Sequence, residues 1–470
     1  MSVPIISVAQ MREWEQATWA AGTTAPEVIR QVGARVAQRV TSLVREEETV
    51  LLLAGKGHNG ADVRAAREQL PGRRILWLDV TSPGADLPRL EAALAQQPAW
   101  IVDGLFGIGL NRPLNADWCR FINRLNAAAV PVLAVDVPSG LDADTGKPAG
   151  AAIRAALTLT VGAPKQGLLR AEAGDYVGRL EVAAEVGLIP CPYRAELQWT
   201  LSRDFSNFPP PRPVDGHKGM FGHLLVVAGS AGYHGAAVLA TRGAQRAQPG
   251  LVTLWTQPDV YVPVASQLQA AMVRTGRVAE LKPGHFTAVL VGPGLAAPTV
   301  PEEIIALVRR WWRELPVPLI VDASALDWLE GTPPPTGAVR VLTPHPGEAA
   351  RLLKCPRDQV QQDRVGAVRQ LARHHGRAWV VLKGRQTLIG RDTGTIFVNS
   401  SGNPHLAQGG AGDVLAGFLA GLLAQPERQR DVERAIGCAV WQHGAAADLL
   451  AAQRRNWVIE ELAATIGAAH

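Results

Sequence analysis

The sequence predicts an α/β protein of two domains, each with a parallel sheet covered by helices on both faces. The chain has 470 residues, enough for roughly two to four domains. Short apolar segments alternate with helical patterns in both halves, as is typical of strands buried on both faces. Four prolines in five positions within 205–216 cannot continue a helix or a central strand. We therefore predict domains at 1–204 and 217–470, joined by a proline-rich linker at 205–216.

The elements of the first half follow from its apolar pattern. Residues 11–22 and 27–44 have the spacing of apolar side chains that predicts helices. Between turn-forming residues lie nearly continuous apolar runs, which predict buried strands. These predicted strands are 49–55, 74–80, 100–107, 131–137 and 157–164.

The same rhythm resumes after the proline-rich segment. The predicted strands of the second half are 223–229, 251–256, 288–294, 318–324, 339–344 and 379–384. Ligands of such parallel sheets bind at the carboxyl ends of the strands, so the residues that follow each strand are the candidates for function.

Composition narrows the class of protein. The net charge is +5 and the basic residues are scattered, which favours anionic small molecules over nucleic acid as ligands. The four cysteines lie far apart, so neither a zinc site nor a disulfide framework is predicted. No apolar run reaches the length of a membrane span, and the N-terminus lacks a signal-peptide pattern. We expect a cytoplasmic homo-oligomer that binds neither membranes nor nucleic acid.

A glycine-rich loop at 402–417 carries the strongest chemical signal. Its glycines leave backbone N–H groups bare in front of a predicted helix, which makes an anion site. Asp413 stands beside that site, where it could take a proton from a hydroxyl next to a phosphate. A helix-capping aspartate is the alternative interpretation of an isolated loop of this kind.

Other predicted strands of the second half are also followed by turns that contain candidate ligand-binding residues. Segment 216–240 predicts a strand, a glycine-rich turn and a helix, and 290–295 is another tight turn. In 342–353, His345 stands between two prolines, which indicates either a substrate contact or a role at a metal or phosphate. In 380–387, Lys383, Gly384 and Thr387 are suited to phosphate oxygens.

In order and spacing, the segments 216–240, 342–353, 380–387 and 402–417 resemble the ADP-dependent NAD(P)H-hydrate dehydratases. The resemblance implies a ribokinase-like, three-layer domain that restores hydrated NADH or NADPH while ADP is consumed to AMP and phosphate. It implies that Asp413 is the catalytic base, that Gly294, His345 and Asp413 bind the hydrate, and that Mg²⁺ accompanies ADP. The implied ADP-binding residues are Lys383, Gly384, Arg385, Gln386, Thr387 and Gly412.

Polar residues also end neighbouring strands of the first half. Asn59 and Asp62 lie in the predicted glycine-rich turn of 51–70, and Asp103, Asp136 and Ser139 follow two later strands. Their convergence at one sheet edge predicts a polar pocket with oxygen ligands for a cation.

These segments, 51–70, 102–110 and 134–146, resemble the NAD(P)H-hydrate epimerase domain, over about residues 1–200. The resemblance implies a Rossmann-like, three-layer fold that interconverts the R and S hydrates. It implies K⁺ held by Asn59, Asp103 and Ser139, with Asp136 as the catalytic residue; Lys165 also matches a family position. The implied substrate-binding residues are His58, Asn59, Gly60, Ala61, Asp62, Gly107, Ile108, Gly109, Leu110 and Asp136.

The predicted turn at 58–63 departs from that family. Ala61 and Val63 add side chains where bare backbone is usual, so a weakened epimerase is one expectation. An alternative for the whole chain is a ribokinase-like small-molecule kinase with a non-catalytic N-terminal domain for binding or oligomerisation.

Overall fold

The computed structural model describes residues 2–110, 112–277, 280–281, 283–329, 334, 337–454 and 456–469. The chain forms two compact units, Val3–Ala195 and Glu196–His470. Within the described ranges, no helix is both long enough and apolar enough to cross a membrane.

The N-terminal unit is an α/β fold around a sheet of six parallel strands. Its elements are β1 (Val3–Pro4), α1 (Val8–Ala20), α2 (Ala25–Leu43), β2 (Thr49–Ala54), α3 (His58–Glu68), β3 (Arg74–Asp79), α4 (Pro83–Leu94), β4 (Trp100–Gly104), α5 (Ala116–Ala127), β5 (Val132–Val135), β6 (Leu157–Val161), α6 (Gly174–Val177) and β7 (Arg179–Ala183). The sheet order is β3-β2-β4-β5-β6-β7.

Helices cover both faces of this sheet. Val50 and Leu52 of β2 belong to a core with α1, α2 and α3. Leu51 and Leu53 alternate with them and belong to a second core, with α4 and α5. The predicted three-layer arrangement and the five predicted strands are confirmed.

The C-terminal unit has more helices and strands than the N-terminal unit. They are β8 (Leu197–Trp199), β9 (His223–Val227), α7 (His234–Arg246), β10 (Leu251–Trp255), α8 (Tyr261–Ala265), β11 (Met272–Arg274), β12 (Ala288–Val291), α9 (Glu302–Glu314), β13 (Leu319–Val321), β14 (Arg340–Leu342), α10 (Pro346–Leu353), α11 (Arg357–Gln362), α12 (Arg364–His374), β15 (Trp379–Leu382), β16 (Leu388–Gly390), β17 (Ile396–Val398), α13 (Ala411–Leu423), α14 (Val432–Gln453) and α15 (Ile459–Thr465).

The sheet of this unit is mixed. Strands follow the order β8-β17-β16-β15-β14-β13-β12-β9-β10-β11. From β15 through β14, β13, β12 and β9 to β10 and β11 every pair is parallel, as predicted. The pairs β15–β16 and β16–β17 are antiparallel, which the sequence analysis did not predict.

Close packing of α13 on α7 fixes the start of α13, where the glycine-rich loop ends. A Cβ atom on Gly417 would lie only 1.8 Å from the carbonyl oxygen of Ala240 in α7. The two helices can therefore approach this closely only because position 417 has no side chain. Both helices join one core with α14 and α15.

The predicted linker at 205–216 falls within the C-terminal unit. Phe205 is buried against Cys438, Trp441 and Ala445, whereas residues 209–215 are exposed. Where the two halves can be separated in solution stays a prediction.

Candidate functional site

The glycine-rich loop of the C-terminal unit leads directly into α13. Gly410, in the left-handed region at φ 94°, is the N-cap, and no side chain caps this helix. Asp413 lies in the first turn, half-buried. The capping interpretation of Asp413 is therefore not supported. Below the loop, the buried His443 donates from Nε2 to the Ala411 carbonyl oxygen at 2.9 Å, which fixes the helix start from behind.

Lys383 ends β15 and reaches beneath this loop. Its Nζ lies 2.9 Å from Asp322 Oδ1 and 3.9 Å from Glu348 Oε2. A Cβ on Gly412 would lie 3.2 Å from the same Nζ, so the glycine leaves room for the ammonium group. Burial alone would lower the pKa of Lys383, but the charges of Asp322 and Glu348 raise it overall. Lys383 is therefore a firmly charged cation inside an acidic cluster.

The same cluster determines the ionisation of Asp413. Burial raises the pKa of Asp413 to about 7, and the charges of Asp322 and Glu348 add to the effect while Lys383 opposes it. A carboxyl group with such a pKa can both take and give a proton near neutral pH. The structure thus brings Asp413, Lys383 and Gly412 together, as the sequence analysis expected.

Asp322 was missed by the sequence analysis as a site residue. It follows β13, is 1% exposed, and accepts a hydrogen bond from Thr343 Oγ1 at 2.6 Å. The next residue, Ala323, has φ 53°, an uncommon value for alanine. An aspartate at a predicted strand end was the signal that could have singled it out.

The rest of the 383–387 segment forms an anchored turn. Arg364 of α12 donates to the carbonyl oxygens of Leu382 at 3.2 Å and Gln386 at 3.3 Å, and also to that of Arg385. Thr387 Oγ1 donates to the Gly384 carbonyl oxygen at 3.1 Å. Gly384 and Arg385 are exposed. Lys383 thus points into the acidic cluster, while Gly384 and Arg385 lie at the surface of the turn.

His345 and Gly294 occupy two further strand ends of the same sheet edge. His345 is the N-cap of α10: its Nδ1 accepts from the Gly347 N–H at 2.9 Å, and its Nε2 lies 3.6 Å from Glu348 Oε1. Burial lowers the pKa of His345. Gly294 has φ 66°, and a Cβ there would lie 2.4 Å from the Tyr233 carbonyl oxygen. Both residues therefore have local structural roles besides any contact with substrate.

In the N-terminal unit, Asp136 follows β5 in a strained conformation. Its φ is 64°, in the left-handed region that non-glycine residues rarely adopt. Asp136 Oδ1 accepts from Lys165 Nζ at 2.6 Å, and this lysine is 0% exposed. Lys165 also donates to the Val161 carbonyl oxygen at 2.9 Å. The ion pair holds Asp136 in place, and strain of this kind is concentrated at functional sites.

The three predicted K⁺ ligands lie around the loop that follows β4. Ser139 Oγ donates to Asp103 Oδ1 at 2.6 Å and accepts from the Phe106 N–H at 2.8 Å. Asn59 Nδ2 donates to the Phe106 carbonyl oxygen at 2.8 Å. Asn59 Oδ1 is buried without a hydrogen-bond partner. Burial raises the pKa of Asp103 to about 6.

This arrangement fits a cation with hard oxygen ligands. An orphaned buried amide oxygen, a buried carboxylate and a hydroxyl are the donors that such an ion prefers. Across the described chain, no group of three or more His, Cys, Asp or Glu residues is placed to hold a metal ion. A site of mixed amide, hydroxyl and carboxylate oxygens does not depend on such a group.

The predicted turn at 58–63 is wrong: these residues begin helix α3. Gly57 is the N-cap and His58 the first helical residue. A Cβ on Gly60 would lie 2.0 Å from the Gly55 carbonyl oxygen, so α3 can start this close to β2 only with glycine there. Val63 is 0% exposed and belongs to the core. It therefore cannot obstruct a ligand cradle; Ala61 is only half-buried.

The remaining predicted residues lie at the edges of this site. A Cβ on Gly107 would lie 3.3 Å from Asp136 Oδ2 and 3.5 Å from Asn59 Cγ. Both side chains therefore lie close to Gly107. Asp62 is buried, and burial and the charge of Asp136 raise its pKa well above the usual value. His58 and Gly109 are exposed, and Ile108 and Leu110 are half-buried.

Each unit thus has a buried carboxylate paired with a lysine at the carboxyl edge of an α/β sheet, Asp136 with Lys165 and Asp322 with Lys383, which defines a two-site α/β enzyme. A sequence profile described as NAD(P)H-hydrate dehydratase matches residues 224–467, and one described as YjeF-related protein N-terminus matches residues 73–167. The chain belongs to the family of bifunctional NAD(P)H-hydrate repair enzymes.

Individual relatives agree with this assignment. The chain is 36% identical to the bifunctional NAD(P)H-hydrate repair enzyme of Gloeobacter violaceus, over 96% of this chain and 94% of the relative. It is 32% identical to that of Escherichia coli, over 92% and 86%. The crystal structure of a ribokinase-like superfamily protein from Enterococcus faecalis matches with a TM-score of 0.52 and 26% identity, over 60% of this chain and 97% of that one.

Proposed function

We propose that this chain repairs hydrated NADH and NADPH with two activities. The C-terminal unit dehydrates the S hydrate while a nucleoside diphosphate is consumed, and the N-terminal unit interconverts the R and S hydrates. The observation that carries the first activity is Asp413, whose carboxyl group has a pKa of about 7 at the start of α13 and shares an acidic cluster with Lys383.

In the proposed dehydration, Asp413 accepts the proton of the hydrate's ring hydroxyl as that oxygen attacks the terminal phosphorus of ADP. The bond from this phosphorus to AMP breaks, and backbone N–H groups at the start of α13 stabilise the transferred phosphoryl group. Loss of phosphate and of a neighbouring ring proton then restores the dihydropyridine. Phosphorylation matters here because hydroxide itself is a poor leaving group.

The ligand contacts of this unit remain proposals, and the turn at 383–387 supports them. Its exposed residues, Gly384 and Arg385, are assigned to the ADP phosphates, with Gln386, Thr387 and Gly412. Mg²⁺ would enter bound to these phosphates and would supply positive charge to the transferring group. Gly294 and His345 are assigned to the hydrated dinucleotide.

For the second activity, the carbon that bears the hydroxyl is a hemiaminal, so loss and return of water can invert it. Asp136 is assigned to this exchange because Lys165 holds it at 2.6 Å beside the bare backbone of Gly107. Asn59, Asp103 and Ser139 would hold K⁺, which supplies a fixed positive charge to the site. His58, Gly60, Ala61, Asp62, Ile108, Gly109 and Leu110 are assigned to the dinucleotide.

The proposal includes a cytoplasmic location, which is supported by the four free cysteines. A homo-oligomer stays a prediction that light scattering of the purified protein would test.

The deciding experiment mixes purified protein with the separated hydrate epimers and ADP or ATP, and follows recovery of dihydronicotinamide absorbance. We expect recovery from the S hydrate with nucleotide and none without it. Recovery from the R hydrate at a rate above its spontaneous epimerisation would support the second activity. Phosphorylation of a small alcohol or vitamin without any recovery would instead indicate a kinase.

A further inference from the structure

The N-terminal site contains an acidic side chain, Glu15, that none of the motifs above includes. Glu15 lies on α1, half-buried, one turn after Arg12. Arg12 Nη2 donates to the Ile108 carbonyl oxygen at 3.1 Å, so this turn of α1 lies against the 107–110 loop. Just before α1, Ile6 forms an isolated parallel bridge with Lys165. Helix α1, which carries Glu15, is therefore fixed at two points: Arg12 binds the 107–110 loop, and Ile6, just before the helix, pairs with Lys165.

The charges around Glu15 come from three other parts of the unit. It interacts electrostatically with Asp136 after β5, with Lys165 after β6, with His58 on α3 and with Arg12 on its own helix. Asp62 of α3 interacts with both Glu15 and Asp136. Three carboxyl groups thus interact with one another beside a single buried lysine, which interacts with Glu15 and Asp136, and they cannot all be ionised at low cost.

The two oxygens of Asp136 are in different situations. Oδ1 accepts from Lys165 at 2.6 Å, from the Val161 N–H at 3.2 Å and from Thr160 Oγ1 at 3.3 Å. Oδ2 faces the position that a Cβ on Gly107 would occupy, at 3.3 Å. Asp136 is therefore held by one oxygen and offers the other, as suits a base that acts on water.

We propose that Glu15 is a second catalytic residue of the epimerase site, the acid that works opposite the base Asp136. This inference rests on the proposed epimerase function. Exchange at a hemiaminal carbon needs a proton given to the departing oxygen and a proton taken from the entering one. Inversion places those two oxygens on opposite faces of the ring, so one carboxyl group cannot serve both. Glu15 and Asp136 come from different elements and could serve one face each.

The proposed step is balanced. Protonated Glu15 gives its proton to the hydroxyl group, the carbon–oxygen bond breaks with its electron pair on oxygen, and water leaves. The ring nitrogen's lone pair forms a double bond to the carbon, giving an iminium ion. A water on the opposite face attacks this carbon while Asp136 takes its proton, and the double-bond pair returns to nitrogen. Exchange with solvent restores both carboxyl groups; the reverse reaction uses them in exchanged roles.

Electrostatics support the acid role. Burial and the charge of Asp136 raise the pKa of Glu15, against the opposing effects of Lys165, His58 and Arg12. A raised pKa keeps a larger share of Glu15 protonated as the pH approaches neutrality.

The test uses the full-length protein with the R hydrate and no nucleotide, so that the dehydratase is silent, and measures conversion to the S hydrate above the spontaneous rate. We expect Glu15→Gln to lower this conversion on the order of 10²-fold, the usual value of a positioned acid or base. Glu15→Asp should recover part of the loss. The matched control is Glu13→Gln on the exposed side of α1, which should keep the wild-type rate.

The pH profile separates catalysis from a structural role. The wild-type rate should fall as rising pH deprotonates Glu15, and this limb should be absent from Glu15→Gln. If Glu15 only stabilised Lys165, Glu15→Gln would lower the melting temperature and leave the profile of the remaining activity unchanged, which would overturn the inference. A wild-type rate in folded Glu15→Gln would also overturn it. If Glu15→Gln does not fold, the pH profile of the wild type is decisive. A wild-type rate that does not fall as the pH rises would rule out Glu15 as the acid. No conversion by the wild type would instead sink the epimerase proposal.

Discussion

Lys383 Nζ and Asp322 Oδ1 lie 2.9 Å apart beneath the glycine-rich loop of the C-terminal unit. Asp322 is almost completely buried, and it also accepts from Thr343, so its position is fixed from two sides. The pair does more than join β13 to β15, because the charge of Asp322 acts on the proposed catalytic base, Asp413. Removal of the Asp322 charge should therefore change the pH dependence of the reaction.

We predict that Asp322→Asn moves the acid limb of dehydration to lower pH. Two effects act in the same direction: a negative charge that raises the pKa of Asp413 is lost, and Lys383, now less neutralised, favours ionised Asp413 more strongly. The measurement is the pH profile of kcat/KM with the S hydrate and ADP. Asp327→Asn is the control, because Asp327 is paired with Arg351 at 3.0 Å. An unmoved limb in Asp322→Asn would exclude this coupling.

Asp413→Asn should fold, bind ADP and lose turnover by on the order of 10²-fold or more, because asparagine cannot accept the proton. Wild-type activity should fall as the pH drops through about 7, where Asp413 becomes protonated. Folding raises this pKa, so the wild type loses stability as the pH rises toward that value. Asp413→Asn should escape that loss and melt at an equal or higher temperature at alkaline pH. Near-normal turnover would show that Asp413 is not the base.

A suitable control for Asp413→Asn is Asp431→Asn at the start of α14. Asp431 caps that helix by accepting from the Arg434 N–H at 3.1 Å. Asparagine caps a helix about as well as aspartate, so stability and turnover should both survive.

Much of the fold could be predicted from the sequence because buried parallel strands have a strong apolar signal. Strands β16 and β17 were missed because each has only three residues, too few for an apolar pattern to stand out. The error at 58–63 has a physical cause: Gly60 was interpreted as a turn residue, but it allows α3 to contact Gly55. Among site residues, Asp413 and Asp136 lie in recognisable motifs. Glu15 lies on a weakly patterned helix far away in sequence, and only the fold brings it to Asp136.

Potassium should stabilise the protein through the oxygen cluster after β4. We expect KCl to raise the melting temperature more than NaCl at equal ionic strength, and to raise the rate of conversion between the R and S hydrates. Asn59→Ala removes the buried oxygen that has no protein partner and should abolish both effects. Gln69→Ala, an exposed change at the C-terminal end of α3, the helix that carries Asn59, should keep them. Equal responses to the two salts in the wild type would count against a potassium site.

The last prediction concerns where the two halves can be separated. A fragment that begins at residue 196 keeps β8, which pairs with β17, and it keeps Trp199, which is 1% exposed. It also keeps Phe205, buried against Trp441. A fragment that begins at residue 212 loses both aromatic side chains, and loss of a buried large aromatic side chain costs about 3–5 kcal/mol. We therefore expect fragment 196–470 to fold and to retain ADP-dependent dehydration of the S hydrate, since Asp322, Lys383 and Asp413 all lie within it. Fragment 212–470 should melt at a clearly lower temperature. Calorimetry and the dehydration assay on both fragments provide the check. Equal melting temperatures would place the functional boundary in the proline-rich segment after all, and a folded but inactive 196–470 fragment would show that dehydration needs the N-terminal half.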